Sequence, residues 1–200
     1  NGASIDLKNA TMRAKGLTLA AKDLTLKNGK VLTDAAAKVS SEVTDTLTLQ
    51  DCAFGGYRLS LGFGETLKLR GNSALLGAAY VRADGNATVS IKNGVATFGP
   101  AGRFIGSDAK TTVTLEIDNA RVTAAHNADA TGPINYIINL GANNSATAAA
   151  LTFTSNFLAV AGSTLTIDIG SCGKGDYALI SALVEFNDKA SLATKAKVLQ

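Results

Sequence analysis

Apolar and polar residues alternate over short stretches of this chain, and one six-residue pattern returns many times. Its clearest copy is Leu24-Thr-Leu-Lys-Asn-Gly29: apolar, polar, apolar, polar, then Asn or another turn residue, then a small residue. The period of two places both apolar side chains on one face of a β-strand. The Asn-Gly ending is typical of a turn, because both residues accept a positive φ. Each copy therefore predicts a short strand followed by a sharp corner.

Copies of this pattern run along most of the chain. They begin at Ile5, Leu24, Leu47, Leu67, Val89, Leu115 and, in a looser form, Leu165. The first six lie 19 to 26 residues apart, and the interval of 50 residues before the last leaves room for hidden units. We expect one of them at Tyr136-Ile-Ile-Asn-Leu-Gly141. Self-similarity at this period is typical of a solenoid, whose units bury their apolar faces by stacking.

These units are too short for helical pairs and rich in strand formers, so the sequence predicts an all-β protein. The predicted fold is a single-stranded, right-handed parallel β-helix (β-solenoid) of about eight or nine rungs, at roughly 22 residues per rung. We expect residues 1–160 to form rungs, and 161–200 to form the closing rungs and cap of the same domain. An antiparallel sandwich is the alternative, since it also has short strands at regular spacing. Repetition in kind as well as in spacing favours the solenoid.

Two local features of the predicted rungs follow from residue type. The fifth position of the pattern holds Asn9, Asn28, Asp51, Asn93 and Asn119. Because Asn and Asp tolerate the left-handed backbone conformation, we expect these residues to form a polar ladder at one corner. The Ala-rich residues 33–41 fit either a helical turn or a long corner.

Composition and charge limit the classes of function. The chain is 46% hydrophobic, which argues against disorder. It has no apolar run long enough to span a bilayer and no leader at Asn1, so we expect no integral membrane segment and any signal peptide to have been removed. Residues 1–100 carry 12 basic and 8 acidic side chains, against 7 and 8 in residues 101–200. This charge is too weak to predict a nucleic-acid partner.

A basic stripe is the first candidate site. If the copies stack in register, their fourth positions form one row: Lys8, Lys27, Gln50, Arg70, Lys92, Asp118 and Asp168. Lys8, Lys27, Arg70 and Lys92 would then form a stripe suited to an anionic glycan or lipid headgroup. The alternative is an ordinary solvated face, on which long side chains splay apart.

Candidate catalytic groups are few. His126 is the only histidine, and a Ser-His-Asp or Cys-His triad would have to use it; an exposed loop histidine is the simpler interpretation. Asp118 and Asp168 share a repeat position and would suit a glycosidase if they lay two rungs apart. One His and two Cys are too few for a zinc site, so no metal or cofactor is expected. The chain is predicted not to be an enzyme.

The two cysteines, Cys52 and Cys172, are predicted not to form a bond within one chain. About five rungs would separate their Cα atoms by about 24 Å. A disulfide requires about 4.4–6.8 Å between Cα atoms. Each cysteine would be buried as a small hydrophobe or paired with another molecule.

Residues 161–180 carry a family resemblance. They contain the strand-like Leu165-Thr-Ile-Asp-Ile169, a Gly-rich corner, and then Gly175-Asp-Tyr-Ala-Leu-Ile180. This order resembles the closing units of autotransporter-type passenger domains and of bacterial autotransporter-associated β-strand repeat proteins. The resemblance implies a right-handed parallel β-helix, secreted or displayed on the outer surface of a Gram-negative bacterium, in adhesion or as a stalk.

The functional hypothesis that follows is a non-enzymatic, extracellular structural or adhesive β-solenoid module. Its expected partners are host or bacterial surface glycans, or other copies of itself stacked end to end. A self-assembling subunit of an extracellular filament is the first alternative, because solenoids have open ends. A carbohydrate-active β-helix enzyme is the second.

Overall fold

The structure is a computed structural model that describes residues 2–19, 21–39, 46–100, 102–125, 131–170, 172–187 and 197–199. These residues form strands and turns, without a helix. The loop residues His126, Asn127 and Asp129 lie outside the described part of the chain. The strands are, in chain order, β1 (Ala3–Asp6), β2 (Thr11–Ala14), β3 (Leu17–Leu19), β4 (Asp23–Thr33), β5 (Ala37–Val39), β6 (Thr46–Gly55), β7 (Arg58–Leu61), β8 (Thr66–Leu76), β9 (Tyr80–Ala83), β10 (Ala87–Phe98), β11 (Phe104–Gly106), β12 (Val113–Asp118), β13 (Arg121–Ala124), β14 (Ile134–Asn139), β15 (Leu151–Phe153), β16 (Asn156–Leu158), β17 (Thr164–Asp168), β18 (Ile180–Ala182), β19 (Glu185–Asn187) and β20 (Lys197–Leu199).

Successive strands lie side by side in three stacks. The first stack runs through β1, β4, β6, β8, β10, β12, β14, β17 and β20. The second contains β2, the later halves of β4, β6, β8 and β10, and then β13, β15 and β18. The third contains β3, β5, β7, β9 and β11, while β16 and β19 pair separately. One pass of the chain around these stacks is a rung.

All pairings between these strands are parallel. The fold is therefore the β-solenoid that the repeat predicts, and the antiparallel sandwich is wrong. The hidden unit is confirmed as well, because Tyr136 in β14 lies between Leu115 and Leu165 in register. The Ala-rich residues 33–41 include a third-stack strand, β5, which neither proposed interpretation had placed there.

The number of turns differs from the prediction. Nine strands lie in the first stack and eight in the second, but only five lie in the third. About five turns are thus closed by continuous stacks on all three sides. The predicted number of rungs was the chain length divided by the repeat length, and this estimate assumes that every rung has a strand on each of its three sides. After β11, the described chain crosses the third side in irregular segments and in the separate pair of β16 and β19.

The core consists of rows of apolar side chains, each contributed by equivalent positions of successive rungs. One first-stack row contains Leu26, Leu49, Leu69, Ile91, Ile117, Ile138 and Ile167, all buried. The third stack contributes Leu59, Val81 and Phe104, each at most 1% exposed. Truncation of one such leucine to alanine typically costs about 2–5 kcal/mol, because neighbouring rungs collapse only partly into the cavity.

The corner between the first and second stacks has one recurring backbone conformation. In the first six units the residue at the fifth position has positive φ: Asn9 (66°), Asn28 (54°), Asp51 (49°), Gly71 (61°), Asn93 (51°) and Asn119 (46°). The fifth residues of the last two units, Leu140 and Ile169, do not. Left-handed backbone bends the chain there without ending the parallel pairing on either side. The predicted left-handed conformation of the Asn and Asp residues is confirmed. The predicted polar ladder is confirmed only in part: a side-chain hydrogen bond joins Asn93 to Asn119, whereas Gly71 interrupts the row.

The first rung departs from the predicted alignment. Asp6, and not Lys8, lies beside Lys27. The register between β1 and β4 is therefore shifted by two residues from the predicted one, whereas the register between β2 and β4 has the predicted value. The corner between β1 and β2 accordingly contains two residues more than the corresponding corner within β4. Lys8 and Asn9 occupy the middle of this wider turn, both with positive φ. Pattern matching could not detect the insertion, because Asn9 keeps the turn chemistry of the other corners.

Candidate ligand-binding surfaces

The predicted basic stripe is only partly assembled. Lys27, Gln50, Arg70 and Lys92 do lie side by side in the first stack. Lys8 lies in the wider first corner, so its assignment to this row is corrected. The row therefore contains three of the four predicted cations, with a neutral glutamine between the first and the second.

Carboxylates within the same row neutralise two of these cations. The ammonium nitrogen of Lys27 lies 3.8 Å from the carboxylate of Asp6, and that of Lys92 lies 2.6 Å from Asp118. Both contacts follow from the register of neighbouring strands, because the pairing of β1 with β4 places Asp6 beside Lys27, and that of β10 with β12 places Asp118 beside Lys92. These half-exposed pairs contribute little to stability, yet they cancel charge that a ligand would otherwise meet.

Arg70 is the remaining cation of the row, and its guanidinium binds the protein itself. One nitrogen donates to the carbonyl of Leu69 at 2.9 Å and to that of Ser90, one rung away, at 2.8 Å. Burial lowers the pKa of Arg70, and the carboxylates of Asp118 and Glu116 oppose the shift. This arginine thus joins two rungs and is not a free anion receptor.

The two aspartates considered for glycoside chemistry share one row, with Asn139 between them. Two rung steps place Asp118 and Asp168 about 10 Å apart along the stack. Each carboxylate also has a local partner: Asp118 binds Lys92, and Asp168 accepts a hydrogen bond from the Gly170 N–H at 2.8 Å. The spacing is compatible with paired carboxylates, but neither group is held free for a substrate.

A second surface, on the third stack, has a different composition. Arg58 in β7 pairs with Tyr80 in β9. Arg103 comes directly before Phe104 of β11, which pairs with Val81, so Arg103 lies beside Tyr80 on the next rung. Arg58, Tyr80 and Arg103 therefore form one outward row. The guanidinium carbon of Arg103 lies 4.5 Å from the centre of the Tyr80 ring. This distance is typical of a cation–π contact.

Tyr57 extends this row towards solvent. Its ring meets the ring of Tyr80 edge-on, with 5.6 Å between centroids and an interplanar angle of 83°. Tyr80 is 8% exposed, whereas Tyr57 is 52% exposed. Burial raises the pKa of the Tyr80 hydroxyl, the Tyr57 side chain adds to this rise, and Arg58 and Arg103 oppose it. The Tyr80 ring is thus held between its neighbours, whereas the Tyr57 side chain is half exposed to solvent.

Arg82 completes the group, one row further along β9. Its Nε lies 2.9 Å from the carboxylate of Asp84. We call Tyr57, Arg58, Tyr80, Arg82 and Arg103 the arginine–tyrosine surface. With Asp84 included, its three guanidinium groups and one carboxylate carry a net charge of +2.

The sequence contained a signal for this surface that the repeat analysis missed. Arginine and tyrosine recur at Tyr57-Arg58, at Tyr80-Val-Arg82 and at Arg103, and the intervals from 58 to 80 and from 80 to 103 are 22 and 23 residues. These match the repeat. Tyr57 and Phe63 share the alternation of the buried Leu59 and Leu61, but both aromatic side chains lie beyond the ends of β7 and are exposed.

The cysteines lie far apart in the stack. Cys52 in β6 is buried and Cys172, after β17, is half-buried, and both are free thiols. Five strand steps separate β6 from β17 in the first stack. At about 4.8 Å per step this is roughly 24 Å, well beyond the reach of a disulfide.

Comparisons with known proteins add no relative. The chain matches no family model, no curated protein and no solved structure. The parallel β-solenoid is thus shown by the structure, while the autotransporter-like identity has no family match behind it. Within the described residues no helix has the length and apolarity to cross a membrane, and no group of three or more His, Cys, Asp or Glu side chains could hold a metal ion.

Proposed function

We propose that this chain is a non-enzymatic structural or adhesive β-solenoid module of a secreted or surface-displayed bacterial protein. The observation that carries the proposal is the arginine–tyrosine surface: three successive rungs of a stacked scaffold present cations around an exposed aromatic ring. The geometry that recurs along the stack holds such side chains in place before a partner arrives, which lowers the entropic cost of binding. Aromatic and arginine side chains are also the residues that dominate binding energy at interfaces.

The extracellular location rests on the resemblance of residues 161–180 to closing units of autotransporter-type passenger domains. In the structure β17 lies within this segment, and the segment's last residue, Ile180, begins β18. A Gram-negative outer surface is the proposed site of action.

Two measurements test the proposal. Antibody against this chain should label intact cells of the source bacterium, and protease added to intact cells should remove the label. Beads coated with the purified chain should adhere to cells or glycan-coated surfaces more than beads coated with heat-unfolded chain. Labelling only after cell lysis would refute the location, and equal adherence of both bead types would refute the adhesive role. Release of smaller sugars from polysaccharides by the purified chain would instead favour a carbohydrate-active enzyme.

A filament subunit is the second candidate, and one row of the first stack favours it. The row that holds the buried residues from Leu26 to Ile167 ends in two exposed members, Ile5 at 45% and Val198 at 54%. Parallel pairing of β20 from one copy with β1 of the next would continue the row and bury both.

Light scattering of the purified chain over a range of concentrations, with negative-stain microscopy, tests this assembly. The expected result is growth of linear particles with concentration, reduced in an Ile5→Asp variant. Monomers at every concentration would exclude the filament. Equal assembly of the Ile5→Asp variant would exclude this row as the contact.

A further inference from the structure

We propose that a groove between the second stack and the long corner after β14 binds a carboxylated sugar unit, with Arg121 as the cation that meets its carboxylate. The inference rests on the adhesive function proposed above and names a ligand class and a binding site for it. It also moves the expected anionic-glycan contact from the predicted basic stripe of the first stack to the second stack.

The corner after β14 is much longer than its counterpart one rung earlier. Residues 140–150 separate β14 from β15, whereas only Asn119 and Ala120 separate β12 from β13. We call residues 141–149 the ledge. The strands keep their parallel register on both sides of this insertion, so the stack itself does not require it. Loops carried by a rigid scaffold are where binding residues are most often found.

Hydrogen bonds hold the ledge against the shorter corner. The side-chain amide of Asn143 donates to the Asn119 carbonyl at 2.7 Å, and its backbone N–H donates to the Asn119 side chain at 2.9 Å. The side chain of Asn144 is 6% exposed; it donates to the Ala120 carbonyl at 2.9 Å and accepts from the Gly141 N–H at 3.1 Å. The ledge is therefore fixed before a ligand arrives, which lowers the entropic cost of binding.

A groove of about 260 Å³ lies between the ledge and the second stack. Its polar lining includes Arg121, Thr123, Thr147 and Thr152, and its apolar lining includes Ala149. Thr123 and Thr152 are neighbours in register on β13 and β15. Hydroxyl groups beside small apolar side chains suit a sugar, which presents hydroxyls at its edge and C–H groups on its faces. Ordinary small-molecule sites begin at about 300 Å³, so this groove fits one sugar unit and not several.

Arg121 supplies the charge of the groove. It is exposed, and it makes no ion pair or hydrogen bond within the part of the chain that the structure describes. The cations of the first-stack row are instead bound by carboxylates or by backbone carbonyls. A planar guanidinium suits a carboxylate because it can donate two parallel hydrogen bonds. Nucleic acid is a poorer fit, because tight binding to phosphates needs many cations along an extended path.

The test uses the whole purified chain with two probes, trigalacturonate and sialyllactose, and the methyl ester of each as its neutral control. Titration calorimetry should show binding of each acid that weakens as salt rises. Each ester should bind roughly tenfold more weakly or worse, because a hydrogen bond to a charged group is lost.

Three variants test the residues of the groove. Arg121→Gln should lose roughly tenfold or more in affinity for both acids, and Thr123→Val about threefold, the usual effects of losing a charged and a neutral hydrogen bond. Arg121→Lys keeps the charge and should recover only part of the affinity, because an ammonium group lacks the planar fork.

Arg13→Gln is the matched control, since Arg13 is an exposed arginine of β2 in the same stack. Five strand steps place it about 24 Å from Arg121 along the stack, so this variant should bind as the unchanged chain does. Circular dichroism and thermal unfolding check that each variant is folded.

Nuclear magnetic resonance of the isotope-labelled, unchanged chain tests the location without any substitution. Titration with trigalacturonate should shift the backbone amide signals of Thr123, Thr147 and Thr152 most. This measurement decides the location even if Arg121→Gln does not fold, and Arg121→Lys then tests the role of the guanidinium.

Four results of the binding experiments would overturn the inference: no binding of either acid, equal binding of acid and ester, unchanged affinity in the folded Arg121→Gln variant, or tighter binding of inorganic phosphate than of the acidic sugars. Amide shifts centred away from the groove would equally refute it. Failure here is distinguishable from failure of the proposed function. Adherence of coated beads that neither acidic sugar competes would leave the adhesive module standing and refute only this ligand.

Discussion

The side-chain amide of Asn119 donates a hydrogen bond to the side-chain oxygen of Asn93, one rung away, with 3.0 Å between nitrogen and oxygen. Both residues have the left-handed backbone conformation, with φ of 46° for Asn119 and 51° for Asn93. A similar contact joins Asn28 to Asp6 at 3.2 Å. The corner is therefore fixed twice, by the backbone conformation of each residue and by side-chain contacts between rungs.

Replacement of Asn28 by valine should destabilise the fold by about 1–3 kcal/mol, since a β-branched residue is strained at a φ of 54°. Replacement by glycine accepts the same φ and should lose only the side-chain contact. Urea unfolding of both variants measures the difference. Equal destabilisation by valine and glycine would show that backbone strain is not the cause.

Gly71 and Asp51 should be energetically coupled. A Cβ at Gly71 would overlap the Asp51 carboxylate, which bends over this glycine to accept a hydrogen bond from the Asn72 N–H at 2.9 Å. Gly71→Asn should therefore be harmful alone and much less so beside Asp51→Ala. A double-mutant cycle should give a coupling of about 1–3 kcal/mol. Additive effects of the two substitutions would contradict this contact.

Asp6 should make stability depend on pH. The Lys8 N–H, the Asn28 side chain and Lys27 hold the pKa of this carboxyl below its usual value, while slight desolvation opposes them. The ionised form is thus favoured by folding. The contribution is present above the usual aspartate pKa of about 3.9 and is lost as pH falls through the lower folded value.

The Asp6→Asn variant tests this dependence. Its stability deficit relative to the unchanged chain should be present at pH 7 and should shrink as the pH falls below about 4. Asp34→Asn, at an exposed turn, is the control. A deficit for Asp6→Asn that stays constant from neutral to acid pH would mean that the charge of Asp6 does not matter.

The two thiols should differ in reactivity. Burial raises the pKa of Cys52 to about 11, with the Gly29 backbone N–H opposing the shift. At pH 8 only about 0.1% of this thiol would be thiolate, the reactive form. Cys172 is half-buried and donates to the Ile169 carbonyl at 3.1 Å. An aromatic disulfide reagent should titrate Cys172 first in the native chain, and Cys52 only on unfolding.

A Cys172→Ser variant checks the assignment, because it should lose the fast phase of the reaction. Two fast thiols in the native chain would contradict the burial of Cys52. Mass spectrometry without reductant should find no bridge within one chain.

The parallel stack and its corners could be predicted from sequence because they depend on local residue chemistry that repeats. Six of the units combine apolar residues two apart with a following residue in left-handed backbone conformation, and both features are visible in Leu24, Leu26 and Asn28. The place of Lys8 could not be predicted, because an insertion inside a turn leaves the pattern intact. The number of three-sided turns was overestimated for a related reason, since irregular segments replace strands without changing the repeat.

The candidate sites were harder to predict, because outward side chains are not constrained by the core. The lysine row was aligned correctly beyond its first member, yet its ion pairs depend on which residue one rung away carries the opposite charge. The arginine–tyrosine surface depends on contacts between Tyr57, Tyr80 and Arg103, which come from three different rungs. A search for recurring outward residues at the repeat interval would have found it.

The parallel register has a consequence for how the chain folds. Each first-stack strand from β4 to β17 pairs with strands about 20 to 31 residues away in sequence, and never with one from the far end of the chain. Folding can therefore nucleate on any few neighbouring rungs and spread in both directions, as in a one-dimensional chain of coupled units. Backbone amide hydrogen exchange should be slowest in the middle rungs and fastest in the terminal ones, because the terminal rungs have a neighbour on one side only and unfold locally most often.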